Sequence, residues 1–319
     1  MYRIDGAEIA GRDAIDIHGT TADTNSRYIP IAAGAHTLTV AAYDAKGKIE
    51  GTPRTISINR TVPASGSQSN LYVVAAGISH YSDNSLSEGV KFAAADAELV
   101  AARFKEQEGK GLYRKVSSVA LPDSKATLQN IQTEVAKAAK IIQPGDTFVL
   151  YLAGHGVAAE GEYYFIPWEA EYTNQKDLLA KSLNREMIQA LLKQTPANKS
   201  VLILDTCNAG GIFESRAAAS EKSSIERIAV MSGRAVLAAS NSEQMAMDGY
   251  QNHGVFTYAL LKGLQEAQGT DQGEILISRL AEYVQGLVPV LTLEKWKYRQ
   301  APLSRIDGEP FPIARKAVN

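Results

Sequence analysis

Two stretches of the sequence decide the fold of this chain: Leu152-Ala153-Gly154-His155-Gly156 and Leu202-Ile203-Leu204-Asp205-Thr206-Cys207-Asn208-Ala209-Gly210. Each is an apolar run that ends abruptly at a reactive side chain, with glycine close behind. Short apolar runs of this kind are typical of buried strands. Ligands approach open α/β sheets at the carboxyl ends of such strands. The sequence therefore predicts that the two reactive side chains lie at the functional edge of one sheet.

The two reactive groups are the imidazole of His155 and the thiol of Cys207, which is the only cysteine in the chain. A thiol beside an imidazole is the minimum apparatus for nucleophilic acyl transfer. A lone cysteine is more often a small buried hydrophobe, but the placement of both groups at strand ends favours catalysis. His80 and His253 lack the strand–Gly-His-Gly setting, so we expect neither of them to be the catalytic histidine.

Composition excludes several classes of protein. The 319 residues are 45% hydrophobic and 21% charged, with a formal net charge of −2, which indicates neither a nucleic-acid nor a membrane partner. One cysteine excludes a disulfide framework and a cysteine-based zinc site. The five histidines show no metal-ligand spacing, so we expect no metal and no required cofactor. No signal peptide or long apolar run is visible, which favours a cytoplasmic location.

The composition changes near residue 65. Before it, residues 37–43 and 55–58 alternate between polar and apolar side chains around a glycine turn at 44–47, which predicts an antiparallel hairpin. We therefore expect residues 1–65 to form a small β-sandwich-like domain, whole or truncated. A polar linker follows at residues 63–70.

From residue 66 onward, apolar strands alternate with amphipathic helices. Predicted strands are 71–77, 116–121, 147–152, 201–204 and 235–240, and predicted helices are 89–106, 128–139, a segment around 188–192 that stops at Pro196, 256–264 and 276–287. This rhythm predicts an α/β fold with a mostly parallel sheet and helices on both faces. We assign residues 66–319 to this second domain.

Five short phrases follow one another in a characteristic order and spacing along the second domain. They are Tyr72-Val73-Val74-Ala75-Ala76-Gly77-Ile78 with Tyr81, Phe92-Ala93-Ala94-Ala95-Asp96-Ala97, the His155 phrase with Tyr163-Tyr164-Phe165-Ile166-Pro167, Leu204-Asp205-Thr206-Cys207, and Gly254-Val255-Phe256-Thr257-Tyr258-Ala259-Leu260-Leu261. Together they resemble the caspase-like clan of cysteine peptidases, and within it the bacterial members related to metacaspases. The resemblance implies a caspase-like fold and an endopeptidase that acts on proteins or peptides. The N-terminal segment resembles the immunoglobulin-like modules found beside such domains.

The resemblance also implies roles for the residues at the strand ends. Cys207 would attack the peptide carbonyl, and His155 would accept and donate the protons. The backbone N–H groups of Gly156 and Cys207 would bind the oxyanion, and glycine at 156 would let the main chain approach the substrate. No side chain stands out to orient His155, a role that often falls to a backbone carbonyl in this clan.

We expect carboxylates to determine which substrate residue the enzyme accepts before the cut. Metacaspases bind Arg or Lys before the cut through acidic groups, and Asp205 and Asp96 match that pocket pattern. The alternative is that Asp205 caps a turn and Asp96 is a solvated helix residue. Glu243 and Asp248 would add long-range negative charge.

The sequence departs from the metacaspase pattern at Asn208 and Ala209, where that pattern has His and Ser. This departure keeps open a second function, a catalytically silent caspase-fold interaction module. Calcium activation occurs among metacaspases, but no oxygen-ligand loop can be read from this sequence. Other domains of a longer parent protein are further candidate partners.

Caspase-like enzymes are often cut between the portion that bears the cysteine and the C-terminal portion. Residues 215–232 occupy that position, lack apolar periodicity and carry Arg216, Lys222 and Arg227. We therefore expect self-cleavage after one of these three residues.

Overall fold

The computed structural model describes residues 2–4, 7–8, 34–40, 52–60, 69–159, 162–208, 235–240, 246–306 and 309–316. The chain divides into two compact units, Met1–Ser67 and Gln68–Asn319. Among the described residues, no helix is both long and apolar enough to cross a membrane.

The first unit contains an antiparallel sheet of four described strands in the order β2-β1-β3-β4. The strands are β1 (Tyr2–Ile4), β2 (Ala7–Glu8), β3 (Gly34–Val40) and β4 (Arg54–Arg60). The predicted hairpin falls on β3 and β4, where Leu38 pairs with Ile56. The described strands form one sheet, and the sandwich-like and immunoglobulin-like assignments of this segment stay predictions.

The second unit is built on a sheet of eight strands, and its main path runs in the order β15-β11-β10-β7-β5-β6. These strands are β5 (Ser69–Gly77), β6 (Tyr113–Pro122), β7 (Thr147–Ala159), β10 (Lys199–Asn208), β11 (Ala235–Ala238) and β15 (Leu303–Ile306). All are parallel except β15, which runs antiparallel to β11. The predicted mostly parallel sheet is confirmed.

Six described helices cover the two faces of this sheet. They are α1 (Ala93–Lys105), α2 (Leu128–Ala139), α3 (Gln175–Ala180), α4 (Arg185–Gln194), α5 (Val255–Glu266) and α6 (Ile277–Trp296). Alternation along the strands sends side chains to opposite faces. Leu150 packs in the core beneath α2 and α4, whereas Tyr151 packs in the core beneath α1, α5 and α6. The predicted caspase-like α/β layering is confirmed.

Strand β7 does not stop at residue 152, where the predicted strand ends, but continues through His155 to Ala159. Beyond Ala153, where its pairing with β5 ends, β7 pairs antiparallel with β8 (Glu162–Phe165), which in turn pairs with β9 (Leu183–Asn184). Two short pairs complete the unit, β12 (Asp248–Tyr250) with β13 (His253–Gly254) and β14 (Glu274–Leu276) with β16 (Pro312–Arg315).

Helix α1 begins close to the carboxyl end of β5. Its N-cap, Phe92, provides no side-chain hydrogen bond. The hydroxyl of Ser79 instead accepts a hydrogen bond from the Ala94 N–H at 3.0 Å. A Cβ at Gly77 would overlap the backbone carbonyl of Ala93, so only glycine lets the helix approach this strand so closely. This close approach places the first turn of α1 at the strand end.

Candidate active site

Strands β7 and β10 bring the two predicted reactive residues side by side. The strands pair in parallel from Lys199↔Thr147 to Asn208↔Gly156, and this register sets Cys207 opposite His155. Neighbouring strands lie about 4.8 Å apart in the pairing direction. The backbone therefore holds the nucleophile and base candidates on adjacent strands, at the carboxyl end of the parallel sheet.

His155 is buried, with 3% of its surface exposed. Burial lowers the pKa of its imidazole, and the backbone of Leu86 and of Glu88 acts in the opposite direction to a smaller extent. Neither ring nitrogen of His155 makes a full hydrogen bond to the described side chains and backbone, so these two backbone groups lie near the ring without full hydrogen-bond geometry. The balance favours a neutral imidazole at neutral pH, the form that can accept a proton.

The glycines on either side of His155 are required by close contacts. Gly154 has a φ of +139°, and a Cβ there would lie 2.8 Å from the hydroxyl oxygen of Tyr81. A Cβ at Gly156 would lie 2.9 Å from Oγ1 of Thr206 and 3.0 Å from the ring of Tyr163. The Tyr163 hydroxyl donates to Thr206 Oγ1 at 3.0 Å and closes this space. Packing within the fold is therefore one reason for glycine at position 156.

The two predicted pocket carboxylates meet beside Gly254. A Cβ at Gly254 would lie 2.8 Å from Oδ2 of Asp205 and 3.3 Å from Oδ2 of Asp96. Asp96 comes from α1 and is 1% exposed. Its Oδ2 accepts from the Gly254 N–H at 2.8 Å, and its Oδ1 lies 2.5 Å from Nδ1 of His253. The alternative that Asp96 is a solvated helix residue is therefore wrong.

Asp205 extends from β10 and is only partly buried. Its Oδ2 accepts a hydrogen bond from the Thr257 hydroxyl at 2.5 Å, and the Thr257 hydroxyl also contacts that of Tyr151 at 2.6 Å. Burial first, and then the charge of Asp96, raise the pKa of Asp205 to about 7. The Asp205 carboxylate therefore binds a residue in the first turn of α5, and it does not cap a turn next to Asp205 in sequence.

Asp248, on β12, adds a third carboxylate to this acidic cluster of Asp96, Asp205 and Asp248. Its charge contributes to the raised pKa values of both Asp96 and Asp205. Its Oδ2 accepts from the Lys91 N–H at 2.6 Å, just before α1. Burial is the main cause that raises the pKa of Asp248 and of Asp96. Burial raises the pKa values of all three carboxyls by more than His253 lowers that of Asp96 and Lys91 lowers that of Asp248.

The two other histidines near the sheet edge have different settings. His80 is highly exposed, and its Nδ1 lies 3.4 Å from Oδ2 of Asp123. His253 contacts Asp96, and this bond raises the pKa of its imidazole. His253 therefore belongs to the acidic cluster, a place that the sequence did not predict. Among the described residues, no group of three or more His, Cys, Asp or Glu side chains is arranged to hold a metal ion.

Some predicted residues lie outside the described part of the chain. These are the expected self-cleavage residues Arg216, Lys222 and Arg227, and Glu243. The sequence did not predict that Tyr81 contacts His155 or that Thr257 contacts Asp205. Both stand in the phrases that carry the family resemblance, but their partners become visible only when distant elements are placed together.

The family model of the caspase domain, peptidase C14, matches residues 72–305. The chain belongs to the caspase-domain family. The family is described as a peptidase family, and the matched residues include all three carboxylates of the acidic cluster together with His155 and Cys207. A search of curated proteins finds no significant match.

Two solved structures are similar to this chain at low sequence identity. A structural-genomics protein from Geobacter sulfurreducens is 18% identical, with a TM-score of 0.51, over 76% of this chain and 95% of its own. Caspase-1 from Spodoptera frugiperda is 14% identical, with a TM-score of 0.49, over 82% of this chain and 97% of its own. At 18% identity, the likeness to the Geobacter sulfurreducens protein shows a shared fold and nothing further.

Proposed function

We propose that this caspase-domain protein is a cysteine endopeptidase that cleaves peptide bonds after Arg or Lys. The observation that carries the proposal is the register of Cys207 opposite His155, at the same end of the sheet as the acidic cluster. The register supports a nucleophile and base pair, and the cluster supports a pocket for a cationic side chain.

In the proposed reaction, His155 accepts the thiol proton of Cys207, and the sulfur attacks the peptide carbonyl. The tetrahedral intermediate collapses, the C–N bond breaks, and the leaving amine takes the proton from His155. Water then attacks the thioester, giving up a proton to His155, and the acid product leaves as the proton returns to sulfur. Burial of His155 supports this role, because a neutral imidazole is ready to accept the first proton.

The oxyanion of each tetrahedral intermediate needs preorganised donors. We assign the backbone N–H groups of Gly156 and Cys207 to this task. Removing one such donor from an enzyme of this type costs about 3 to 4 kcal/mol of transition-state stabilisation. The bare backbone at Gly156 leaves no side chain of its own between the main chain and an approaching carbonyl.

The acidic cluster is proposed to bind the side chain before the cut. Asp96 has both carboxylate oxygens engaged by His253 and Gly254, whereas Asp205 keeps some solvent exposure. We therefore assign the direct contact to Asp205 and a supporting charge to Asp96. A guanidinium supplies a planar pair of donors that matches a carboxylate, and an ammonium supplies a point charge.

Profiling cleavage of a peptide library tests this function. The wild type should cut after Arg and Lys, and Cys207→Ala should cut nothing while keeping its circular dichroism spectrum. Parallel reactions with calcium and with a chelator determine whether the metal activates the enzyme. A folded wild type that cuts no peptide in either condition favours the catalytically silent interaction module, and a preference for Asp before the cut refutes the acidic pocket.

Self-processing follows from the same specificity. The segment 215–232 offers Arg216, Lys222 and Arg227 between the cysteine and the strand β11. We propose that the enzyme cuts itself after one of these residues, Arg216 or Lys222 first. Mass spectrometry of freshly purified protein should show the cut in the wild type and an intact chain in Cys207→Ala. The same cut in both proteins would show that another protease makes it.

A further inference from the structure

Tyr81 lies directly against His155. The two rings are stacked, with centroids 5.4 Å apart and planes inclined by 25°. The Tyr81 hydroxyl also accepts a hydrogen bond from the backbone N–H of His155 at 2.8 Å, and both residues are buried. One side chain therefore contacts both the imidazole and the backbone of the same residue.

The segment that follows β5 is fixed in the position that delivers this phenol ring. The Ile78 N–H donates to the Ala153 carbonyl at 3.1 Å, and the Tyr81 N–H donates to Oγ of Ser87 at 2.9 Å. The Tyr81 hydroxyl occupies the space that a Cβ at Gly154 would need. Glycine at 154, with its positive φ, is therefore the structural counterpart of tyrosine at 81.

Among the described residues, no polar side chain hydrogen-bonds to the imidazole of His155 and so fixes its plane. Neither ring nitrogen makes a full hydrogen bond among the described residues, and the nearby polar groups are the backbone of Leu86 and of Glu88. Groups at the edge of a ring limit its rotation about Cβ–Cγ less than an aromatic face packed against it. A small displacement of a catalytic group lowers the rate strongly, because the reacting atoms must be aligned.

We infer that Tyr81 is the positioning residue of the candidate site: its ring fixes the plane of the His155 imidazole, and its hydroxyl fixes the His155 backbone. The inference rests on the proposed function, in which His155 is the base. Tyr81 makes no contact with substrate in this account. Loss of its phenol group should therefore lower kcat and leave KM nearly unchanged.

Three variants separate positioning from general stability. Tyr81→Phe keeps the stacked ring and removes the acceptor for the His155 N–H, whereas Tyr81→Leu removes both. Tyr113→Phe is the matched control. Tyr113 is equally buried, and its hydroxyl donates to the Ile313 carbonyl at 3.2 Å, at the amino-terminal end of β6 and away from the candidate site. Thermal unfolding of each variant measures how much stability the lost group provided.

The first readout is steady-state cleavage of a peptide with Arg before the cut. We expect kcat to fall about tenfold in Tyr81→Phe and about a hundredfold in Tyr81→Leu, losses no larger than the 10²- to 10⁴-fold that a positioned base contributes. The KM should stay within about twofold of the wild-type value in both, as expected for a loss confined to the transition state. Tyr113→Phe should keep the wild-type kcat.

The second readout is alkylation of Cys207 by iodoacetamide across pH, which needs no peptide. Because Cys207 is the only cysteine, the rate reports this thiol alone. An aligned imidazole can take up the thiol proton, and the resulting thiolate–imidazolium pair makes the sulfur reactive below the free-thiol value of about 8.5, which lowers the midpoint of the profile. We expect Tyr81→Leu to move the midpoint upward toward that value, and Tyr113→Phe to leave it in place.

The inference is overturned if folded Tyr81→Phe and Tyr81→Leu keep the wild-type kcat and alkylation midpoint, or if Tyr113→Phe loses as much of both. Because Tyr81→Phe preserves the ring, it tests the hydroxyl contact even when the leucine variant does not fold, and a wild-type kcat in folded Tyr81→Phe overturns the role of that contact. A wild type that neither cleaves peptide nor changes its alkylation profile in His155→Ala refutes the proposed function, and the inference with it. Active wild type with unaffected Tyr81 variants refutes the inference alone.

Discussion

At the scale of residues, the environment of Asp205 disfavours the ionised form of its carboxyl group. Burial and the neighbouring Asp96 raise its pKa to about 7, so the carboxyl titrates close to neutral pH. An ionised carboxyl attracts a cationic side chain, whereas a protonated one does not. Asp96 also raises the pKa of His253. As pH rises, His253 loses its positive charge, and this loss makes the net charge of the cluster more negative, as the ionisation of Asp205 does.

We therefore expect preference for Arg over its neutral analogue citrulline to increase as pH rises through about 7. The ratio of kcat/KM for two peptides that differ only at this residue removes the effect of His155, which is common to both. Asp205→Asn should flatten the pH dependence and reduce the ratio. A ratio that is constant from pH 5.5 to 8.5 in the wild type would contradict the assignment of Asp205 to the pocket.

The same titration predicts an effect on stability. A carboxyl whose pKa is higher in the folded state than in the unfolded state binds more protons when folded, so its ionisation destabilises the fold as pH rises from about 4 through 7. Asp205→Asn keeps an oxygen that can accept from Thr257 and removes the charge. We expect this variant to melt at a higher temperature than the wild type at pH 8, and the difference to shrink at pH 5. A lower melting temperature at pH 8 would contradict the electrostatic account.

The sequence predicted His155, Cys207, Asp96 and Asp205 because each stands in a short phrase with local meaning. The contacts of Tyr81 and Thr257 could not be predicted in this way. Tyr81 meets a residue 74 positions away, and Thr257 meets one 52 positions away. Such pairs depend on the register of strands and on the approach of helices, which a single sequence does not specify.

At the scale of elements, the start of α1 shows how packing positions a functional group. Glycine at 77 allows the helix to contact the end of β5, and this contact places Asp96 beside Asp205. The sequence predicted the helix from residue 89, but the regular helix begins at Ala93. Residues before it are bound by Asp248, whose carboxylate accepts from the Lys91 N–H, a long-range contact that periodicity cannot reveal.

Gly77→Ala tests this close approach. The added methyl group must displace the first turn of α1, so we expect unfolding free energy to fall by about 1 to 3 kcal/mol. Preference for Arg should fall as Asp96 moves. Gly145→Ala is the matched control, because a Cβ at Gly145 has open space around it. Denaturant unfolding and the Arg/citrulline ratio measure the two effects, and equal behaviour of both variants would contradict the account.

Strand β7 shows where local pattern fails at the level of an element. The apolar run predicts its first half, but its second half is held by pairing of Val157 with Tyr164 across a hairpin. The edge strand β15 was not predicted either, because Leu303-Ser304-Arg305-Ile306 is short and carries no strong alternation. The core strands were predicted well because burial on both faces makes them continuously apolar.

At the scale of the whole molecule, the described residues that form the two hydrophobic cores of the second unit lie between 71 and 314. We therefore expect residues 68–319 to fold without residues 1–67. The shortened chain should unfold in a cooperative transition and keep the kcat/KM of the full chain for an Arg peptide. Loss of cooperative unfolding would show that the first unit is needed for the stability of the second.

The measurement that tests the central claim most directly is covalent labelling followed by intact mass and peptide mapping. The protein is incubated with a peptide that carries a thiol-reactive warhead next to Arg, and in parallel with the citrulline counterpart. The account predicts one adduct, on Cys207, that forms at least about tenfold faster with Arg and is nearly lost in His155→Ala. No adduct in the folded wild type, or equal rates for the two reagents and for the His155 variant, would contradict it.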